Sequence, residues 1–86
     1  MKWNFTFDIR TDWEKAQNRE ISVSEFSKLL HNGIINSQFY DSQDVELMDI
    51  LEEFHFMGES DWDDFDVVWD QFYDWADQKK VWIRTF

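Results

Sequence analysis

Cysteine and proline are absent from the 86-residue chain, and glycine occurs only twice. The lack of cysteine excludes a disulfide scaffold, a Cys-based zinc site and thiol chemistry. The lack of proline and the shortage of glycine predict few sharp, irregular loops. No apolar run approaches the length of a membrane span, and Met1-Lys2 leads into an alternating polar pattern instead of a signal peptide, so a cytoplasmic compartment is expected. Asn4-Phe5-Thr6 fits a glycosylation sequon, which in an intracellular chain is read as chance. The most informative shortage is of positive charge. Residues 41–77 hold fourteen acids and no Lys or Arg, whereas residues 1–40 are balanced at five acids and five bases, and Lys79, Lys80 and Arg84 follow near the end, for a net charge of −11. This distribution argues against direct binding to nucleic acid or to an anionic membrane, and for a basic partner.

What the chain has in excess is aromatic surface. Nine Phe, six Trp and two Tyr make up 20% of the residues within a hydrophobic content of 43%. That is enough to collapse residues 1–86 as one domain around an aromatic core. Residues 2–10, KWNFTFDIR, alternate strictly, with Trp3, Phe5, Phe7 and Ile9 on one side, and predict a half-buried strand. Thr11 with Glu14 resembles a capping box for a short helix over 12–18 that turns Trp13 and Ala16 inward. Ser22 with Glu25 is a second box, with Ile21 and Phe26 as its hydrophobic staple, and Asn32-Gly33 is a left-handed stop signal for that helix. Residues 34–40 read equally as a brief strand or a packed loop. Asp41 or Ser42 opens the next helix, which runs to Gly58, with Leu47, Met48, Leu51, Phe54 and His55 inward and Glu46, Asp49 and Glu53 outward. A short link, 58–60, predicts an antiparallel neighbour. Ser60 and Asp63 cap that neighbour, and VWIRTF closes the chain as a strand with Val81 and Ile83 on one face and Trp82 and Phe86 on the other. The expected fold is α+β: two terminal strands paired antiparallel, with about three packed helices between them.

The stretch SDWDDFDVVWDQFYDWADQ, residues 60–78, carries seven aspartates and six aromatics. Trp62, Phe65, Val68, Trp69, Phe72, Trp75 and Ala76 fall on one side of a helix, and Asp63, Asp66, Asp70, Asp74 and Asp77 on the other. Two readings of the acidic face are open: a solvated surface that keeps an aromatic core soluble, or a docking surface. The energetics favour the second. The pairs 63/66, 66/70, 70/74 and 74/77 each repel by about 0.2–0.5 kcal/mol, together about 1–2 kcal/mol of the ~5–15 kcal/mol a small domain has. Glu mixed with Lys would solubilise the same face at a gain. All seven acids are Asp although Glu forms helices better, and the shorter arm holds its carboxylate closer to the backbone. Asp61, Asp63 and Asp64 suit a helix N-terminus, but Asp70, Asp74 and Asp77 lie toward its negative end. The row spans about 21 Å with a carboxylate every ~5 Å, against one phosphate per ~3.4 Å of a DNA strand. Glu46, Asp49 and Glu53 offer a second row if the two helices lie side by side. Tyr73 and Val67 flank the aspartates as candidate contacts, since aromatic anchors dominate many interfaces.

Other chemistry is not supported. Counting a calcium loop from Asp61 puts Asp66 where glycine is needed and Phe72 where the closing Glu is needed, and counting from Asp41 also fails. His31 and His55 are isolated in sequence, His31 supporting a helix end and His55 packing on an inner face. Carboxylates are abundant, but a general acid needs a pocket that raises one pKa, and a solvated stripe supplies none. No cofactor, metal or enzymatic activity is expected.

In size, in its Asp-rich helix over 61–78 and in the acid row over 46–53, the chain resembles the small acidic inhibitors carried by phages and mobile elements, of the DNA-mimic anti-restriction and anti-CRISPR types. The resemblance implies a non-enzymatic protein that occupies the basic DNA- or RNA-binding groove of a CRISPR effector or nuclease through Asp63, Asp66, Asp70, Tyr73, Asp74, Asp77, Glu46, Asp49 and Glu53. The immunity proteins that neutralise cognate nuclease toxins share this logic. A third possibility is an adaptor that binds through exposed aromatics.

Overall fold

The computed structural model describes residues 2–58 and 60–86. Among them the chain forms strand β1 (Phe5–Asp8), helices α1 (Arg10–Gln17), α2 (Val23–Ile35), α3 (Val45–His55) and α4 (Trp62–Gln78), and strand β2 (Val81–Arg84). The protein is thus mostly helical, with the short helix read over 12–18 present as α1 beside the three longer ones.

The two strands pair in parallel, with Phe5 opposite Val81 and Asp8 opposite Arg84. This corrects the antiparallel sheet expected from the sequence. The amides of Asn4 and Phe5 both donate to the Lys80 carbonyl, at 2.7 and 3.3 Å, and Ile9 N–H donates to the Arg84 carbonyl at 3.0 Å. Parallel pairing needs a long crossover connection, which the four helices between residues 9 and 80 supply. The sense of the pair is set by how α4 delivers the chain: Lys80, at φ 58°, ends the helix and turns it into β2. An alternating pattern reports which side chains face the core but carries no information on strand direction.

Several helix ends differ from the sequence reading. α1 begins directly after Ile9, which makes no side-chain cap bond, and Thr11 lies inside its first turn. The Asp8 carboxylate takes over by accepting from the Arg10 amide at 3.2 Å. α1 closes in a Schellman motif, with Glu20 N–H donating to the Lys15 carbonyl at 2.9 Å, Arg19 N–H to the Ala16 carbonyl at 3.2 Å, and Arg19 at φ 59°. The Ser22–Glu25 box forms as expected. However, α2 runs through Asn32-Gly33 to Ile35, because Gly33 serves packing and not a turn: a Cβ there would lie 3.0 Å from Phe7 Cζ. α3 is capped by Asp44, which accepts from Leu47 N–H at 3.1 Å, so neither Asp41 nor Ser42 opens it. α4 is capped by Asp61, which accepts from Asp64 N–H at 2.9 Å, in place of Ser60 with Asp63. The 58–60 link contains Glu59, which lies outside the described residues.

One core results. Phe7 and Ile9 from β1 and Val81 and Ile83 from β2 join Phe26, Leu30 and Ile34 of α2, Leu47, Ile50, Leu51 and Phe54 of α3, and Phe65, Val68, Trp69, Phe72 and Trp75 of α4. Phe39 seals it from the 36–44 connection. Most rings meet edge-on or tilted, as at Phe7–Phe72 (6.0 Å, 89°) and Phe26–Phe65 (5.4 Å, 41°), while Phe72–Trp75 is stacked (6.1 Å, 14°), geometries that suit their quadrupoles. The radius of gyration, 12.3 Å, matches the ~12 Å expected of a chain this long. Trp3 and Phe5, expected to face the core with Phe7, stay 39% and 36% exposed, because a two-stranded sheet covers only the later half of that alternation. No helix among the described residues is long and apolar enough to cross a membrane.

Candidate partner-binding surface

α4 presents the acidic surface. Its buried side is formed by Phe65, Val68, Trp69, Phe72, Trp75 and Ala76. Asp63, Asp66, Asp70, Asp74 and Asp77 are all exposed on the other side. Because the buried rings lock the rotation of α4, they also fix the direction in which the aspartates point.

The ion pairs of the described residues lie away from the row. Among the described residues two ion pairs form, Arg10–Asp8 at 2.8 Å and Lys79–Asp44 at 3.7 Å, and neither includes an aspartate of the row. Lys79 is two residues beyond Asp77, yet its ammonium group reaches to Asp44. Among the described residues, none of the five bases of residues 1–40 forms an ion pair with the row. Arg10 is held by Asp8, while Arg19 donates to the Ala16 carbonyl at 3.0 Å and lies 4.5 Å over the Trp62 ring.

Glu46, Asp49 and Glu53 are exposed along α3. A cleft at the α3–α4 seam is lined by Asp49, Glu52, Glu53, Phe56 and Met57 with Val68 and Gln71 of α4. At about 100° per residue, Asp64, Val67, Gln71 and Gln78 form a strip between that seam and the aspartate row. The α3 acids therefore belong to a second patch across this strip, instead of forming a directly adjoining row. Glu52, which the sequence reading left out, belongs to that patch. Tyr73 is 53% exposed and leans on Trp69 at 6.4 Å, and Val67 is 60% exposed.

One acid is engaged inside the fold. Asp44 accepts from Leu47 N–H and, at 3.0 Å, from the Trp75 indole N–H, with Lys79 alongside. Burial alone would raise its pKa, but the two hydrogen bonds and the Lys79 charge outweigh burial and hold the carboxyl below the ordinary aspartate value. The Asp8 carboxyl is also lowered, chiefly by its side-chain hydrogen bond from Arg10.

The histidines, isolated in sequence, meet across the α2–α3 seam with ring centroids 5.7 Å apart. His31 lies within α2 and not at its end, and His55 is exposed against Phe56 instead of packing inward. No group of three or more His, Cys, Asp or Glu suited to a metal ion occurs among the described residues.

Sequence reasoning also passed over Trp3. It lies beside β2 because Asn4 hydrogen-bonds to Lys80, a neighbourhood that only the strand pairing creates. No family model matches the chain, and no curated protein or solved structure is similar to it.

Proposed function

We propose that this protein is a non-enzymatic inhibitor, of the anti-CRISPR or anti-restriction type, that acts in the cytoplasm of a bacterial host by placing α4 in the basic DNA- or RNA-binding groove of a nucleic-acid-processing protein. The observation that carries the reading is the row Asp63–Asp66–Asp70–Asp74–Asp77, exposed along one helix and outside both ion pairs, Arg10–Asp8 and Lys79–Asp44, seen among the described residues. About 21 Å of aligned carboxylates competes for phosphate-binding Arg and Lys by charge and spacing, with no base needing to be read. Association would be steered by the fourteen-acid block and would weaken as salt screens it.

The test is capture from bacterial lysate on the immobilised protein. The expected result is retention of a basic nuclease or guide-RNA effector that is released by NaCl or by competing double-stranded DNA. A D66N/D70N/D74N variant should fail to retain it while its thermal stability is preserved or raised, because the four repulsive pairs are relieved. Retention of the same partner by that variant would sink the proposal. A nuclease toxin encoded beside this chain and inhibited by it alone would identify an immunity protein using the same face. The adaptor reading is favoured by Trp3, Phe56, Tyr73 and Trp82, which are all at least 39% exposed. It predicts an association indifferent to salt.

A further inference from the structure

Beside the C-terminal end of the aspartate row, a cleft of about 300 Å³ is lined by Trp3, Tyr73, Ala76, Asp77, Trp82 and the β2 backbone neighbours of Trp82. Tyr73 and Asp77 are one helical turn apart and so share a face of α4, and buried Ala76 lines the cleft beside them with a small side chain. Trp82 points away from the core because Val81 and Ile83 point into it, and Trp3 is brought alongside by the Asn4 amide bond to the Lys80 carbonyl, 2.7 Å long.

We infer that this cleft, framed by Trp3, Tyr73 and Trp82 around the Asp77 carboxylate, binds the guanidinium of an arginine side chain from the partner protein. The inference rests on the docking role proposed for α4 and assigns that surface a specificity pocket. The cleft is small, at the lower end of ligand sites, and fits one long side chain. Its lining contains no basic residue, and Asp77 forms no ion pair among the described residues. An anion or a phosphate would be repelled by Asp77. A purely apolar occupant would strip water from that carboxylate without replacing its hydrogen bonds. A guanidinium satisfies both demands, because its flat faces stack on aromatic rings while its edge donates in a fork to a carboxylate. The protein already uses this contact elsewhere, where Arg19 lies 4.5 Å over the Trp62 ring, and Trp82 itself accepts a guanidinium, that of Arg84, at 5.5 Å from its ring centroid, although Arg84 lies outside the lining. The cleft thus adds shape selection to a row that by itself selects only for charge.

The test uses the intact protein and N-acetyl-arginine methylamide as probe, with the indole N–H signals of the six tryptophans followed by NMR. The expected result is saturable shifts at Trp3 and Trp82, with Trp13 and Trp75 as silent internal controls. Affinity should fall about tenfold for the neutral isostere N-acetyl-citrulline methylamide and by a similar factor in D77N, an exposed substitution that leaves the core untouched. Tyr73→Ser should abolish the shifts. Equal response to citrulline, shifts spread over all six indoles, or no saturation up to the solubility limit would overturn the inference. Capture of a nuclease by a protein that ignores the arginine probe would remove the cleft alone. Saturable arginine binding with no nuclease captured would remove the docking role of α4 and leave the cleft standing.

Discussion

Asp44 shows how one side chain can join three parts of the molecule. It caps α3 through Leu47, accepts from the indole of Trp75 in the last turn of α4, and draws in Lys79 from just beyond the end of that helix. Replacing it with alanine removes the cap, about 1 kcal/mol, and strands the indole N–H of Trp75, a ring only 1% exposed, for about another 1–3 kcal/mol. Asp44→Ala should therefore lower stability by about 2–4 kcal/mol in urea denaturation at neutral pH. Because folding lowers the pKa of this group, its charge-dependent stabilisation is complete above the ~3.9 of an ordinary aspartate and is lost as pH falls through the still lower folded value. The difference between wild type and variant should accordingly narrow below about pH 4, and a gap that stayed constant down to pH 2 would contradict this account. None of this is legible in the sequence. Asp44 is one of four polar residues in a row, and its partner Trp75 is 31 positions away.

At the scale of elements, Gly33 separates local preference from packing. Asn-Gly after a helical run reads as a stop, and yet α2 continues to Ile35 because its last turn carries Ile34 into the core, fully buried. Helix propensity alone predicts that Gly33→Ala would stabilise by about 1 kcal/mol. The added Cβ would meet Phe7 at 3.0 Å, and Phe7 cannot move easily because its ring is wedged between Phe39 and Phe72 at 5.5 and 6.0 Å. Gly33→Ala should instead lower stability by about 1 kcal/mol net, since overpacking costs about 1–3 kcal/mol. A rise in the denaturation midpoint would show that Phe7 yields. The capping box at Ser22 illustrates the opposite case, a signal contained within four consecutive residues and realised as read.

For the molecule as a whole, charge is the term that conditions alter most readily. With a net charge of −11, and two ion pairs among the described residues, repulsion along α4 opposes folding at low ionic strength. Raising NaCl from about 0.01 M to 1 M shortens the Debye length from roughly 30 to 3 Å. Screening the ~1–2 kcal/mol of repulsion in the row should then raise Tm by roughly 4–10 °C. Calorimetry showing a Tm that is flat or falls with salt would mean that the aspartates are compensated in a way the ion pairs do not reveal.

The same scale separates what sequence determined from what tertiary structure decided. Periodicity alone determined the buried and acidic sides of α4, the inward turn of Leu47, Leu51 and Phe54 on α3, and the outward turn of Trp82, because each depends only on spacing along a helix or strand. Packing decided the parallel sense of β1 and β2, the extension of α2 past Gly33, the meeting of His31 with His55, and the cleft that joins Trp3 to Tyr73, Asp77 and Trp82. Each of these depends on where a distant segment arrives, and a local pattern of hydrophobicity is the same whichever way that segment runs.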